Sequence, residues 1–347
     1  MPPGPLKRDG AALTTPRAAS SRLSLIVRNV ETSISIDRIR EASETIDPVF
    51  RDSPQYACEP LSDRLGVATI LKVECANPIR SFKGRGTDFL LQRLGRQAAG
   101  FVCASAGNFG QGMAYAARKR GDRLTVFAAV AANPLKVDRM RALGADVVLE
   151  GADFDAAKVA AKARAERTGA VYVEDGLLPE IAEGAGTIAV ELGRMDGPLD
   201  AIFVPLGNGS LINGIGTWTK RFSAATRVIG VCAAGAPAME LSWRAGQPIS
   251  TDATHTIADG ISVRVPIAEA LAVMRSAVDE VMLVSDEEIV AAMRALFTDA
   301  GLVVEPAGAA GVAAIAKRAG EFAGRRVATP ICGGNLTPEQ IKRWLLQ

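Results

Sequence analysis

The sequence predicts an α/β protein built on parallel sheets, from three observations. From about residue 34 onward, short β-rich runs alternate with longer stretches of helical periodicity, and alternation at this spacing marks parallel sheets with helices on both faces. Several of the strand-like runs end in turns rich in Gly, Asn and Ser, and open α/β sheets bind ligands at the carboxyl ends of their strands. The 347 residues, 48% hydrophobic and 22% charged, suffice for a sizeable core in one large or two ordinary domains.

In chain order, residues 1–23 carry Pro, Ser, Thr and Ala with Lys7, Arg8, Arg17 and Arg22 and no apolar period, so a disordered tail is expected there. Its basic, acid-poor character has a faint likeness to an organellar transit peptide; a plain tail is the preferred reading. Strands are expected over 67–75, 100–104, 123–130, 145–149, 170–174, 200–206, 227–233, 280–284 and 326–332, each of strand length and set between turn signals or helix-like segments. Helical spacing is found over 87–94, 109–120, 134–143, 153–168, 180–194, 286–299 and 308–319. The longest apolar stretches, such as 124–132, are strand-sized and too short to span a bilayer, so no membrane association is expected. No repeat or internal linker divides the chain into independent units.

Composition excludes several function classes. Forty Lys and Arg against 38 Asp and Glu is near balance, without a dense basic block, and three Trp and three Tyr offer little base stacking, which argues against a nucleic-acid partner. Cys58, Cys75, Cys103, Cys232 and Cys332 are odd in number, scattered and lack CxxC spacing, which points to a reducing, cytoplasmic compartment and away from a zinc cluster. His255 is the single histidine, so any Ser-His-Asp arrangement depends on that one residue. Acid–base chemistry in so histidine-poor a chain falls to lysine, carboxylates or a cofactor.

Four turns carry candidate chemistry. Pro78-Ile79-Arg80-Ser81-Phe82-Lys83-Gly84-Arg85-Gly86 follows the first strand and puts Lys83 at a strand-to-helix corner. A lysine partly desolvated there becomes the nucleophile that a Schiff base needs; taken alone, such a Gly/Lys loop is more often a solvated surface lysine. Ser105-Ala106-Gly107-Asn108-Phe109, after the strand at 100–104, combines small residues with hydrogen-bonding side chains at a helix N-terminus, suited to a carboxylate and equally to a plain N-cap. Gly207-Asn208-Gly209-Ser210-Leu211, after the strand at 200–206, is a nest of backbone N–H groups that suits a phosphate, though it lacks the lysine of a Walker loop and reads equally as a structural turn. Cys332-Gly333-Gly334-Asn335 ends the last strand, its cysteine by itself a buried filler.

In order and spacing, Ser81-Phe82-Lys83, Ser105-Ala106-Gly107-Asn108, Gly207-Asn208-Gly209-Ser210-Leu211, Glu305-Pro306-Ala307-Gly308-Ala309 and Cys332-Gly333-Gly334-Asn335 together resemble the fold-type II pyridoxal-phosphate enzymes, and most closely the threonine and serine dehydratases. The resemblance spans about residues 34–347. It implies a tryptophan synthase β-like fold of two parallel-sheet, three-layer domains, a large one from 24–99 and 178–347 and a small one over 100–177, with the site in the cleft and a homodimer as the assembly. It further implies that Lys83 carries pyridoxal 5'-phosphate as a Schiff base. Phe82, Asn108, Gly207, Asn208, Gly209, Ser210, Leu211, Glu305 and Cys332 would bind the cofactor, and Ser105, Ala106, Gly107, Asn108 and Phe109 the substrate. Lys83 would then remove the Cα proton of a hydroxy amino acid, L-threonine or L-serine, and loss of the β-hydroxyl would give a 2-oxo acid and ammonia. The departing hydroxide needs an acid, for which the cofactor phosphate or Lys83 is available. Cys332, a weak neutral partner for the pyridine nitrogen, suits β-elimination over reactions that need a long-lived carbanion.

Four departures qualify the resemblance. Phe109 replaces the histidine that usually follows the Asn of the second motif and makes that side of the pocket apolar. Ala106 stands where serine racemases have a serine, which disfavours racemisation. Cys232 and Ala238 fall where many relatives place a carboxylate pair, so no metal is expected. The sequence stops one helix after Cys332, so the C-terminal regulatory domain of biosynthetic threonine deaminases is not expected. Ser81-Phe82-Lys83-Gly84-Arg85-Gly86 is also close to the threonine synthase form, which keeps a β- or γ-replacement enzyme of the threonine synthase or cysteine synthase kind as the alternative.

Overall fold

The structure, a computed structural model, describes Met1 and residues 34–347; the expected tail over 1–23 and the segment 24–33 lie outside the described residues. The strands are β1 (Gln55–Ala57), β2 (Ala68–Val73), β3 (Phe101–Ala104), β4 (Leu124–Ala128), β5 (Asp146–Leu149), β6 (Val171–Val173), β7 (Ala201–Pro205), β8 (Arg227–Ala233), β9 (Glu280–Val284) and β10 (Arg326–Ile331). The helices are α1 (Ile36–Thr45), α2 (Glu59–Leu65), α3 (Lys83–Leu94), α4 (Asn108–Arg120), α5 (Pro134–Ala142), α6 (Phe154–Thr168), α7 (Pro179–Leu192), α8 (Ser210–Phe222), α9 (Ala238–Ala245), α10 (Ala268–Ala277), α11 (Asp286–Ala300), α12 (Pro306–Lys317) and α13 (Pro338–Leu345).

All nine expected strands form. The additional β1 is three residues long and half to fully exposed, too short and too wet to leave an alternating pattern. Helix α3 begins at Lys83, four residues ahead of the expected start, because two glycines in its first turn blur the period. The short helices α2 and α9, of seven and eight residues, were likewise below what periodicity resolves. Helix α11 starts where a Ser285/Glu288 capping box satisfies its first amides.

Two sheets result. The larger has the order β1-β2-β10-β7-β8-β9, with β1 antiparallel to β2 and the remaining pairs parallel. The smaller, β5-β4-β3-β6, is parallel throughout. The last strand of the chain lies at the centre of the larger sheet, its Ile331 beside Val73 of β2 and its Ala328 beside Ile202 of β7. The carboxyl ends of three adjacent strands therefore deliver three of the four motifs side by side. In the smaller sheet, adjacent β3 and β6 end at Ala104 and Val173, which puts Ser105 and Asp175 just beyond their carboxyl ends. The parallel strands are buried almost throughout, from Ile70 and Leu71 to Phe203, Val204 and Ile229, as sheets covered on both faces require.

Helix α7 fixes the helices that present Lys83 and the glycine loop. A Cβ on Gly184 would lie 2.5 Å from the Arg85 carbonyl oxygen and 2.6 Å from the Gly86 Cα, and one on Gly214 would strike the Ala182 carbonyl. Backbones this close leave no freedom for α3 or α8 to slide. Behind them lies a cluster of buried charge. The Arg85 guanidinium, fully buried, donates to Glu74 at 2.7 and 2.9 Å, to Glu191 at 2.6 and 2.9 Å and to Thr187 at 2.8 Å, while Lys72 pairs with Glu191. Two cations face two carboxylates, so the desolvation of each is offset by a partner.

Candidate active site

The Lys83 corner is folded by Asn77. Its Oδ1 accepts from the Ile79 and Ser81 amides at 3.2 and 3.3 Å, and its Nδ2 donates to the Glu74 and Ser81 carbonyls at 2.8 and 3.1 Å, an Asx-type turn built by the Asn-Pro signal. The corner is stitched to the end of β10. Ser81 Oγ and the Phe82 amide both donate to the Cys332 carbonyl at 3.2 Å, and Ser81 bridges Gly333.

Lys83 opens α3 with its side chain 13% exposed. Its Nζ lies 2.5 Å from Asp175 Oδ2, 4.9 Å from the centre of the Phe82 ring and 5.8 Å from that of Phe109. The partly desolvated lysine expected from sequence thus has a carboxylate partner that sequence reasoning did not name. Asp175 lies two residues past the end of β6, after Glu174, and the rule that ligands gather at strand carboxyl ends could have drawn notice to it. Its other oxygen accepts from Ser210 Oγ at 3.1 Å, so one carboxylate spans Lys83 and the glycine loop.

That loop enters α8 without a side-chain cap, which leaves first-turn amides for an anion. Gly209 is the N-cap, at φ +100°, a conformation that favours glycine, and Asn208 Oδ1 accepts from Ser210 Oγ at 3.3 Å. Gly207 packs so closely that an added Cβ would stand 3.0 Å from the Gly260 carbonyl. Leu211 is buried in the larger core.

Across from the loop, Ser105 Oγ accepts from the Gly107 and Gly110 amides at 3.2 and 2.9 Å. The serine half of the capping reading is realised, and its hydroxyl proton remains free to donate. Ala106 sits between these residues. A Cβ on Gly107 would meet nothing within 4 Å, so the turn is open on that side. Asn108 is the first residue of α4 and does not cap it; its Nδ2 donates to Glu305 Oε1 at 2.7 Å and its Oδ1 accepts from Asn335 Nδ2 at 2.8 Å. Phe109 is buried with Leu90, Met113 and Val137.

Glu305 is buried, and the Asn335 amide donates to its Oε2 at 3.2 Å. Burial pushes its carboxyl up to about 7; the Lys136 ammonium opposes that rise, the Asp259 carboxylate adds to it, and the two asparagine hydrogen bonds oppose it. Lys136 itself pairs with Asp259. Burial alone would lower the Lys136 pKa, and the carboxylates of Asp259 and Glu305 outweigh it, leaving the ammonium stabilised. Burial and Glu305 push the Cys332 thiol well up, so it stays neutral. Asn335 was read only as part of a strand-ending turn; it also accepts from the Arg139 guanidinium. Among the described residues no group of three or more His, Cys, Asp or Glu side chains is placed to hold a metal ion.

A primary amine, an uncapped helix N-terminus within one carboxylate's span of it, and a neutral thiol between them suit an aldehyde cofactor that bears a phosphate and a weakly basic ring nitrogen. A model of the pyridoxal-phosphate dependent enzymes matches residues 46–333. The chain belongs to that family. It is a pyridoxal-phosphate enzyme of the fold-type II class, and the fold and cofactor implied by the motifs hold. The L-threonine ammonia-lyase of Thermotoga maritima is 36% identical over 312 residues, which are 89% of this chain and 78% of that protein. The biosynthetic, chloroplastic threonine dehydratase of Arabidopsis thaliana is 38% identical over 265 residues, 76% of this chain and 45% of that protein. The chain therefore spans about half the length of the plant relative. Among solved structures, the processed form of threonine deaminase isoform 2 from Solanum lycopersicum superposes with a TM-score of 0.82 at 31% identity, covering 89% of this chain and 88% of that one.

Proposed function

We propose that this protein is an ammonia-lyase that deaminates L-threonine, and less efficiently L-serine, to a 2-oxo acid and ammonia. The observation that supports the reading is that Lys83 Nζ lies beside Asp175 and the Phe109 ring that follows the Ser105–Asn108 turn, with Ser210 of the glycine loop bonded to the same carboxylate, and that no residue of the four motifs suggests a site for a second substrate. The likeness to threonine-deaminating relatives supplies the substrate.

Pyridoxal phosphate, when bound, supplies the electron sink that acidifies the Cα–H of an amino acid. Lys83 Nζ would hold it covalently, the amides of Gly207, Asn208, Gly209 and Leu211 with the Ser210 hydroxyl would seat its phosphate, and Phe82, Asn108, Glu305 and Cys332 would surround its ring. Ser105, Ala106, Gly107 and Asn108 would bind the substrate carboxylate through amides and hydroxyl, which fixes the Cα–H toward Lys83. Lys83 Nζ then takes the Cα proton. The rings of Phe82 and Phe109 flank that nitrogen and limit its access to water, so the proton stays on it. Phe109 supplies an apolar wall for the threonine methyl. The two sheets are read as a small domain over 100–177 set into a large one from the flanking segments, in a homodimer, as the family resemblance supports; the scattered, odd-numbered cysteines are the ground for a reducing, cytoplasmic compartment.

Loaded with pyridoxal phosphate and given L-threonine alone, the protein should release ammonia and 2-oxobutyrate. L-serine should give pyruvate at a kcat/KM lower by about fourfold, the worth of one buried methyl, and Lys83→Ala should abolish both reactions. If neither amino acid is consumed alone, and O-phosphohomoserine or an O-acylserine is converted instead, the replacement alternative takes its place.

A further inference from the structure

Asp175 has no role in the chemistry derived from the motifs, yet it is the acidic side chain in contact with the reactive nitrogen. Its Oδ2 lies 2.5 Å from Lys83 Nζ, and its Oδ1 is oriented by the Ser210 hydroxyl at 3.1 Å. The pair is only 13% and 18% exposed and is flanked by the rings of Phe82 and Phe109, so bulk water is a poor proton carrier to Nζ. The carboxylate is also held from the backbone side: Gly176, the next residue, has φ +91°, and an added Cβ would stand 3.0 Å from the Asn208 side chain. The turn after β6 therefore packs against the glycine loop.

We propose that Asp175 is a catalytic proton carrier for Lys83 when an incoming amine displaces it from the cofactor. In that exchange a bond forms between the incoming nitrogen and the cofactor's aldehyde carbon, and the bond from that carbon to Nζ breaks. The incoming amine must lose a proton and the departing Nζ must gain one, so the exchange is balanced by a single proton passing between two nitrogens. A carboxylate in contact with Nζ accepts it from one and gives it to the other. Every amino-acid substrate must make this exchange before any later step.

The test follows the exchange alone, with hydroxylamine as the incoming amine and the loaded, full-length protein. The rate is read from the change in cofactor absorbance, with no amino acid present, so the result is independent of which substrate the enzyme deaminates. Asp175→Asn keeps the shape and still accepts from Nζ through its oxygen, with the Ser210 hydroxyl turned to accept from its amide nitrogen, but it cannot carry a proton. It should slow the exchange about 100-fold, a typical loss for a general acid–base group, with its melting temperature close to wild type. Asp175→Ala should be slowed as much, and added formate, a carboxylate small enough to enter the vacated space, should restore its rate at least fivefold. A rate for Asp175→Asn within threefold of wild type, or no response of Asp175→Ala to formate, overturns the proposal. Either result would leave Asp175 a purely structural ion-pair partner.

Discussion

At the scale of single residues, Glu305 makes stability depend on pH in an uncommon direction. Its carboxyl titrates near 4.5 when solvated and is pushed up to about 7 by burial in the folded protein. Between these values the folded state holds a proton that the unfolded state has released, so its contribution to stability is full below about 4.5 and is lost as pH rises through about 7. The loss amounts to on the order of 3 kcal/mol. Glu305→Gln removes the titration at the cost of one hydrogen bond, because its amide cannot accept from both Asn108 and Asn335. Thermal melts of the cofactor-free protein should show the variant less stable than wild type at pH 5 and the difference shrinking or reversing by pH 8. A difference constant with pH would mean that Glu305 is already ionised in the fold. The motif Glu305-Pro306-Ala307-Gly308-Ala309 was legible in sequence, but the shift was not, because it comes first from burial, opposed by Lys136 and aided by Asp259, all set by segments far apart in sequence that meet only in space. Asp175 escaped sequence reasoning for a related reason: a Glu-Asp pair after a three-residue strand does not show which acid, if either, turns into the site.

At the scale of elements, the site is held by contacts between backbones. The Gly184 Cβ position, 2.5 Å from the Arg85 carbonyl, makes α7 the template on which α3 is seated. Gly184→Ala should therefore displace α3 and cost about 1–3 kcal/mol, the usual penalty of overpacking, with weaker pyridoxal-phosphate binding because Lys83 moves with its helix. Gly320→Ala, where an added Cβ meets nothing within 4 Å, is the control and should melt within about a degree of wild type. Equal melting temperatures for the two variants would show that α3 tolerates the shift. Strands of this architecture were readable because each buried run is apolar and of strand length, as from Ala201 to Val204. The central place of β10 was not readable, since nothing local in Arg326–Ile331 records that it inserts between β2 and β7. The same holds for the buried Arg85 cluster. In sequence Arg85 is one more basic residue beside Lys83; only the approach of Glu74 and Glu191 shows that it is an anchor.

At the scale of the whole molecule, side chains from the segment that forms the smaller sheet reach residues of the larger one around the site. Lys136 pairs with Asp259, Arg264 with Asp155, and Arg139 with Asn335. The first pair is asymmetric: the Lys136 side chain is 7% exposed and that of Asp259 62%. Replacing Lys136 by Met removes a cation from a buried position and leaves Asp259 solvated, so the fold should lose little, and melting should fall by no more than about 2 °C. One of the ties between the two sheets is nevertheless gone. If the segment over 100–177 closes on the amino acid as a domain, that closure must then draw on other contacts. A partly exposed pair of this kind is worth about 1 kcal/mol, which corresponds to a KM for L-threonine raised roughly fivefold with kcat changed much less, the pattern of lost uniform binding. The rise should diminish at high salt, where screening weakens the pair that only the wild type possesses. An unchanged KM in Lys136→Met would show that the two sheets keep their relation to each other without this ion pair, and would direct attention to Asn108 and Glu305 as the contact that joins them.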